Sequence, residues 1–388
     1  MTNPSLHAPS DRLWFLDWVR VGAFALLIPY HLGMFYVSWD WHVKSTYDGS
    51  AVEPLMLVTA PFRLALLFFV SGAATRFLAD RTSAGGFARS RALRLLPPLL
   101  FGMFVICAPQ AYFEGLAKDG LQPGFLDFLP RYWGFDHTLK HGFTWNHLWF
   151  VAYLLVYSLL LAVVLKPLRR LGDSSLFTTR LVIAVLPALV IGVGYALTRM
   201  WFSVTHALVN DWPNHVVYLP LFLLGFAMAR SQQFWRAVES LRWPALACAC
   251  VGYAVILWFF LQDGSGTPNP TFLFVLRMWR SAYAWMAILT VLGFARRYLN
   301  RPSAAVAWLN RGVFCFYIVH QTAIVLFGVA LAPLKIGPVL EPVAILTLTV
   351  TSCLGIYALA ERFGVAKLLL GLPPRASRPR RSPGFATS

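Results

Sequence analysis

The segment from Trp14 to Ser38 reads WFLDWVRVGAFALLIPYHLGMFYVS. Its length and apolar character predict a membrane-spanning helix, yet it contains Asp17, Arg20 and His31. Ionisable side chains are costly inside a bilayer, so those found there usually face a protein interior and serve a function. At about 100° per residue, the step from Arg20 to His31 is three turns plus roughly 20°, so both lie on one face about 16.5 Å apart along the axis. Asp17 falls within about 60° of that face.

This helix therefore presents a carboxylate and a guanidinium near one membrane surface and an imidazole closer to the other. We take His31 as the leading catalytic candidate, because a neutral imidazole in a dry site is a suitable general base for a hydroxyl nucleophile. Asp17 and Arg20 complete the predicted catalytic group. Arg20 can form an ion pair with Asp17 one turn away, and it can also hold an anionic group such as a phosphate.

The composition extends the membrane interpretation to the whole chain. Of the 388 residues, 58% are hydrophobic and only 13% are charged, whereas a soluble domain carries about 25% charged residues. The sequence predicts an all-α, polytopic integral membrane protein. We expect about ten transmembrane helices, at residues 14–37, 54–79, 92–113, 146–165, 181–201, 215–230, 243–262, 281–295, 312–331 and 341–360.

The basic residues are distributed unevenly between the predicted loops. One alternating set of connections, together with both ends of the chain, holds 23 of the 33 lysines and arginines. The positive-inside rule then places both termini in the cytoplasm. The net charge of +17 is thus a topology signal, and no nucleic-acid partner is expected. We predict one integral-membrane domain over residues 1–372 and a disordered basic tail over residues 373–388, close to anionic membrane lipids.

Three further arginines are candidates for binding. Arg91 and Arg94, in RSRALRLLPP, lie where the third predicted helix leaves the cytoplasm. They serve either as positive-inside anchors or, with Arg20, as a phosphate clamp. Arg63, in APFRLALLFFVSG, is a charge toward the outer half of the second helix, and we favour a structural or substrate-orienting role for it.

The predicted outer side holds the remaining candidates. Trp41 and His42 lie in the first outer loop, and His147 and Trp149 open the fourth helix, where Trp149 also suits an interfacial anchor. His320, in FCFYIVHQTAIVLF, is mid-membrane and is the second candidate for a polar site.

Two histidine patterns are set aside, and no metal site is predicted. The His206 and Asp211 pair has an H-x4-D spacing, but so short a pattern arises often by chance. The spacing of His137 and His141 suits a metal pair, but no acidic third ligand is placed as in H-E-x-x-H. The five cysteines all lie in apolar runs and are predicted to be small buried hydrophobes.

The pair Arg20 and His31 matches the R-x10-H signature of the integral-membrane acyltransferase-3 superfamily. Its other landmarks are matched in order by FFVSG at 68–72, RALRLLPP at 91–98, HLWFVAYLL at 147–155, YLPLFLLG at 218–225 and FYIVHQ at 316–321. The sequence resembles this superfamily across essentially all predicted helices. One departure is Gln321, which stands where a second histidine is expected beside His320.

The resemblance implies an acyl-CoA-dependent O-acyltransferase of the bacterial inner membrane with no tightly bound cofactor. The segment Phe15–Ser45 is most similar to the branch that succinylates osmoregulated periplasmic glucans. The donor would then be cytoplasmic succinyl-CoA, and the acceptor a glucose hydroxyl of a periplasmic β-glucan. The phosphates of the donor would meet Arg20, Arg91 and Arg94. The residues that would surround the acceptor and the acyl group are Trp41, His42, Arg63, His147, Trp149 and His320.

Other functions stay open at this level. The first is a proton-coupled transporter that uses Asp17, Arg20, His31 and Arg63 as a relay, although no paired broken helices or inverted halves are visible. The second is an O-acetyltransferase of another envelope polysaccharide, and the third is a structural subunit of a glucan-synthesis complex. A homo-oligomer, and a covalent acyl-enzyme in place of direct transfer, are also left open.

Overall fold

The computed structural model describes residues 13–172, 177, 179–262 and 269–373. Within this part of the chain the backbone forms helices and loops without β-strands, which confirms the all-α class. The helices are α1 (Trp14–Tyr36), α2 (Glu53–Thr59), α3 (Arg63–Ala79), α4 (Ala84–Phe101), α5 (Ala108–Lys118), α6 (Phe125–Trp133), α7 (Trp149–Gly172), α8 (Arg180–Trp201), α9 (Trp212–Met228), α10 (Gln232–Phe260), α11 (Pro270–Leu299), α12 (Ala304–Leu331), α13 (Leu340–Ala360) and α14 (Gly364–Leu369).

Nine helical stretches in the described residues are long and apolar enough to cross a membrane. Two of them join shorter helices: α2 with α3, and α4 with α5 through a π-helical turn at Gly102–Ile106. The sixth predicted span, 215–230, corresponds to α9, whose 17 residues reach only about 25 Å against a hydrocarbon core of about 30 Å. The count of ten and the side of the termini stay predictions, and residues 374–388 of the predicted tail lie outside the described part.

Several predicted helix limits were too short. The third span begins at Ala84 and continues to Lys118, and the eighth covers Pro270–Leu299 rather than 281–295. The predicted loop between the third and fourth spans, residues 114–145, contains the short helix α6. The extensions of the third span are largely polar ends, which hydropathy does not mark because they reach beyond the apolar core of the span. Residues 270–280 are mostly apolar but include Arg277 and Arg280, whose charges lower the hydropathy of this stretch.

Two glycines bring α3 and α9 into backbone contact. A Cβ added at Gly72 would collide with the carbonyl of Phe222, and one added at Gly225 would collide with the carbonyl of Phe69. Small residues at such crossings let membrane helices approach closely, since packing rather than water exclusion holds them together. The α3–α9 contact therefore depends on both glycines.

Replacing Gly225 with valine should destabilise the protein by about 3 kcal/mol or more, because the added side chain would push α3 and α9 apart. Thermal unfolding in detergent and the amount of folded protein in membranes measure the loss. Gly355→Val is the matched control, since no atom lies within 4 Å of a Cβ at Gly355 in the middle of α13. Equal stability of the two variants would show that the contact is not tight.

We call the end of the bundle where α1 begins the inner end, after the predicted orientation, and the opposite end the outer end. At the inner end Asp80 accepts hydrogen bonds from Nε of Arg76 (2.9 Å) and Nε of Arg230 (2.6 Å), and Nε of Arg169 lies 3.3 Å away. Burial alone would raise the pKa of Asp80, but the hydrogen bonds from Arg230 and Arg76 lower that pKa below its usual value. These arginines thus join α3, α7 and the end of α9.

Candidate active site

His31 of α1 and His320 of α12 form a hydrogen-bonded pair. Nδ1 of His31 lies 2.7 Å from Nε2 of His320, and the two ring centroids are 5.0 Å apart. Nδ1 of His320 in turn faces the carbonyl oxygens of Phe316 (3.1 Å) and Tyr317 (2.7 Å). The two residues are 289 positions apart in the sequence, so the bundle brings together the two histidines that the sequence marked separately.

The carbonyl contacts determine where the protons lie in this pair. A carbonyl oxygen only accepts, so Nδ1 of His320 carries a hydrogen and its Nε2 keeps a lone pair. That lone pair accepts the hydrogen on Nδ1 of His31. The neutral ring of His31 is therefore left with an unprotonated Nε2, which is the form required of a general base.

A cavity of about 740 Å³ lies beside His31. Six of the predicted site residues line it: His31, Trp41, His42, Arg63, His147 and Trp149. Trp149 is only 8% exposed, so its position is that of a buried wall residue rather than an interfacial anchor. His320 lies behind His31 and contacts the site through it. The structure thus gathers the outer candidates around one histidine.

A second polar network holds the outer wall of the cavity. His42 donates from Nδ1 to the carboxylate of Glu114, which leaves Nε2 of His42 to accept from the amide of Gln321 at 2.9 Å. The same amide nitrogen donates to Oε1 of Gln110 at 3.0 Å. Gln321 therefore uses both of its N–H groups, which gives a physical reason for a glutamine beside His320.

The network continues to His147. Nε2 of His147 donates to the carbonyl of Ile318 at 3.1 Å, so Nδ1 accepts from Nε2 of Gln110 at 3.4 Å. Gln110 also donates to Oγ1 of Thr322 at 2.6 Å. The sequence analysis missed Gln110 and Glu114, although the criterion applied to His31, a polar side chain in an apolar helix, would have found both.

The loop between α8 and α9 closes another side of the cavity. His206 lies in this loop with its ring centroid 4.4 Å from that of Trp149. Asp211, fully buried, accepts from the backbone N–H of His206 at 3.0 Å and from the hydroxyl of Tyr153. Asp211 thus binds the backbone of His206 and not its ring, so the two do not form a catalytic pair. His206 nevertheless lines the cavity, where burial lowers its pKa below the usual value.

A cleft of about 420 Å³ continues the cavity toward the outer loops. The two spaces share His42, Phe143, Thr144 and Asn146. His137 and His141 line the cleft, and His141 lies 3.6 Å from Glu114. Among the described residues no group of three His, Cys, Asp or Glu side chains is arranged to hold a metal ion.

The predicted arginine clamp lies at the other end of α1. Arg20, Arg91 and Arg94 are close enough to repel one another electrostatically, and Asp17 attracts Arg20. Asp17 also accepts a hydrogen bond from Asn310 at 2.8 Å. Neither Asp17 nor Arg20 lines the cavity of His31. The structure thus places Asp17 and Arg20 apart from His31, with about 16.5 Å of helix between Arg20 and His31, and a shared catalytic role stays a prediction.

Three aromatic rings pack together on the inner side of the cavity, which Tyr317 itself lines. Phe24 of α1 contacts Tyr317 at 5.7 Å and Phe150 at 6.3 Å between ring centroids, and Phe150 lies 5.8 Å from Tyr317. All three side chains are at most 5% exposed. We call Phe24, Phe150 and Tyr317 the aromatic barrier. Along α1, Phe24 lies between Arg20 and His31.

Comparison with known proteins identifies the family of this chain. Residues 13–360 match the family model described as an acyltransferase domain, Acyl_transf_3, so the chain belongs to the acyltransferase-3 family. It is a multi-pass membrane acyltransferase of the inner membrane. No solved structure matches the chain significantly.

The chain is also similar to individual curated proteins. It is 27% identical over 352 residues to glucans biosynthesis protein C of Shigella dysenteriae serotype 1 (strain Sd197), with 84% of this chain and 85% of that protein covered. The protein of the same name from Escherichia coli (strain K12) is 27% identical over 346 residues, with the same coverage.

Proposed function

We propose that this acyltransferase transfers a succinyl group from cytoplasmic succinyl-CoA to a glucose hydroxyl of a periplasmic β-glucan. The observation that carries the proposal is the unprotonated Nε2 of His31 beside a cavity that opens to the outer end. The name of the similar proteins, glucans biosynthesis protein C, supports a glucan acceptor. The resemblance of Phe15–Ser45 to the succinylating branch of the family supports succinyl as the acyl group.

In the proposed reaction His31 works as a base and then as an acid. Its Nε2 takes the proton of the acceptor hydroxyl while the oxygen attacks the thioester carbonyl carbon. The tetrahedral intermediate collapses with cleavage of the C–S bond, and the thiolate of CoA receives the proton back from His31. Throughout, Nδ1 of His31 donates to His320, which holds the ring in place and shares the positive charge of the transient imidazolium.

The two ends of α1 suit the two substrates. The clustered guanidiniums of Arg20, Arg91 and Arg94 match the phosphates of a CoA, since arginine binds phosphate through paired charge-assisted hydrogen bonds. Indole rings of Trp41 and Trp149 at the cavity wall offer flat apolar surfaces, which suit the apolar faces of a sugar ring. The pantetheine arm would cross the region of the aromatic barrier.

The proposal is tested with purified protein in lipid nanodiscs, given succinyl-CoA and a β-glucan freed of ester groups. We expect a succinyl ester on the glucan by mass spectrometry and one CoA thiol released for each ester formed. Acetyl-CoA in place of succinyl-CoA is the donor control. Transfer of acetyl alone would favour the O-acetyltransferase, and no thiol release from either donor would favour the transporter.

A further inference from the structure

Arg63 is an uncompensated charge in the wall of the cavity. Among the described residues that line this space it is the only lysine or arginine, and none of them is acidic. Its side chain is nine-tenths buried, at 9% exposed. A buried charge without a counter-charge is costly, so such a group normally has a partner of opposite sign.

The hydrogen bonds of Arg63 are also incomplete. Nη1 donates to the carbonyl of Ala60 at 3.1 Å, and the guanidinium carbon stacks 3.2 Å from the ring centroid of Tyr30. The Nε–H group is buried and has no hydrogen-bond partner. The stacked ring holds the guanidinium in one orientation but supplies no negative charge. A donor held in place and left unsatisfied in a cavity wall points to a ligand that accepts hydrogen bonds there.

Neighbouring charges increase the need for an anion. The guanidinium of Arg280 repels that of Arg63 and adds to the positive charge of the site. The carboxylate of Asp211, which has His206 as a common neighbour with Arg63, is already engaged by the hydroxyl of Tyr153 and the backbone of His206, and Glu114 binds His42. A bound anion would supply the counter-charge that these residues do not.

We infer that Arg63 binds the free carboxylate of a dicarboxylic acyl group, so that the cavity selects a succinyl-type donor over acetyl. The inference rests on the proposed function for the identity of the donor. Tyr30 precedes His31, its ring centroid lies 5.8 Å from that of His31, and Arg63 stacks on Tyr30. In a succinyl group the carboxylate carbon and the thioester carbon are about 4 Å apart. The acyl group can thus reach Arg63 while its thioester carbon stays beside His31.

The chemistry of the acyl group then decides which acyl-CoA donor the cavity binds more tightly. A carboxylate would satisfy both the charge and the free Nε–H of Arg63 with charge-assisted hydrogen bonds. An acetyl or butyryl group would leave the guanidinium buried and unpaired. Sites built to hydrogen-bond a substrate group discriminate strongly against analogues without it, because the site's own polar atoms are then unsatisfied.

Equilibrium binding in nanodiscs tests the inference separately from the reaction. The background is His31→Ala, which should prevent turnover, and the probes are succinyl-CoA and butyryl-CoA, in which a methyl group replaces the carboxylate. We expect succinyl-CoA to bind about 30-fold more tightly than butyryl-CoA, and Arg63→Gln to remove most of this difference. Arg63→Lys should restore part of it, since the charge returns without the planar fork. Arg199→Gln, near the outer end of α8 and outside the cavity wall, should leave the ratio unchanged.

The outcomes separate this inference from the proposed function. If Arg63→Gln weakens both donors equally, or if the parent protein binds both alike, Arg63 does not bind a carboxylate. A preference for acetyl-CoA in the transfer assay would also overturn the inference while leaving acyl transfer intact. If succinyl-CoA binds in an Arg63-dependent way but no glucan is acylated, the carboxylate site stands and the proposed acceptor fails.

Discussion

Replacing His31 with alanine is expected to lower the rate of glucan acylation by about 10³-fold at a normal level of folded protein. The physical reason is that His31 lines the cavity and keeps an unprotonated Nε2, so its loss removes the proposed base that activates the acceptor. Mass spectrometry of glucans from cells that express the variant, with abundance checked by blot, measures the effect. Full retention of the ester would refute the mechanism and direct attention to His320.

A second substitution separates the base from the residue that positions it. In His320→Gln the side-chain oxygen can still accept from Nδ1 of His31, so we expect a loss of only about 10-fold. The pH profile of kcat should shift in this variant, since the charge on protonated His31 is no longer shared with a second imidazole. An unchanged pH profile would mean that His320 acts only in packing.

The second large effect is expected at the arginine cluster. Arg91→Gln together with Arg94→Gln should raise KM for the acyl-CoA by about 10²-fold or more, with a smaller change in kcat. The reason is that these neighbouring guanidiniums repel one another, and the phosphates of a bound CoA would offset that repulsion. The measurement is steady-state kinetics over a range of donor concentrations at two salt concentrations, because dissolved salt screens the attraction between the anionic donor and the arginines.

The matched control and a double-mutant cycle make this test specific. Arg89 lies on the same helix and is exposed, so Arg89→Gln should change neither KM nor kcat. A donor that lacks its 3′-phosphate should bind the parent protein more weakly but the double variant about equally, since non-additive losses identify interacting groups. Additive losses would show that the cluster does not hold that phosphate and acts only as a positive-inside anchor.

Much of the helical architecture could be predicted from hydropathy. The sequence of the first helix also indicated His31 as the leading candidate for the site. Periodicity along α1 predicts that Arg20 and His31 share one face about 16.5 Å apart, and the helix does run from Trp14 to Tyr36. Periodicity could not show which partner helix covers each residue, since a shared face says nothing about the packing at each level.

The parts that escaped prediction depend on contacts between distant segments. The bond between His31 and His320, and the bridge from Gln321 to His42, join residues more than 270 positions apart, and no local pattern encodes such pairs. The loop that carries His206 was missed for another reason. His206 has a positive φ of 56°, and the hydrogen bond from its backbone N–H to Asp211 helps to hold this conformation. Positive φ is usually signalled in a sequence by glycine, and here the residue is a histidine.

The aromatic barrier has a consequence for the energetics of the cell. An enzyme that takes its donor on one side of the membrane and its acceptor on the other needs a passage for a group of atoms, and such a passage can also conduct protons. One elementary charge that crosses releases about 2.3 kcal/mol per 100 mV of membrane potential. Phe24, Phe150 and Tyr317 are buried and pack against one another, so they would leave little room on such a route for a file of water molecules. In the proposed reaction, the rings that the acyl chain must pass would therefore also act as an electrical insulator, and catalysis across the bilayer would proceed without discharging it.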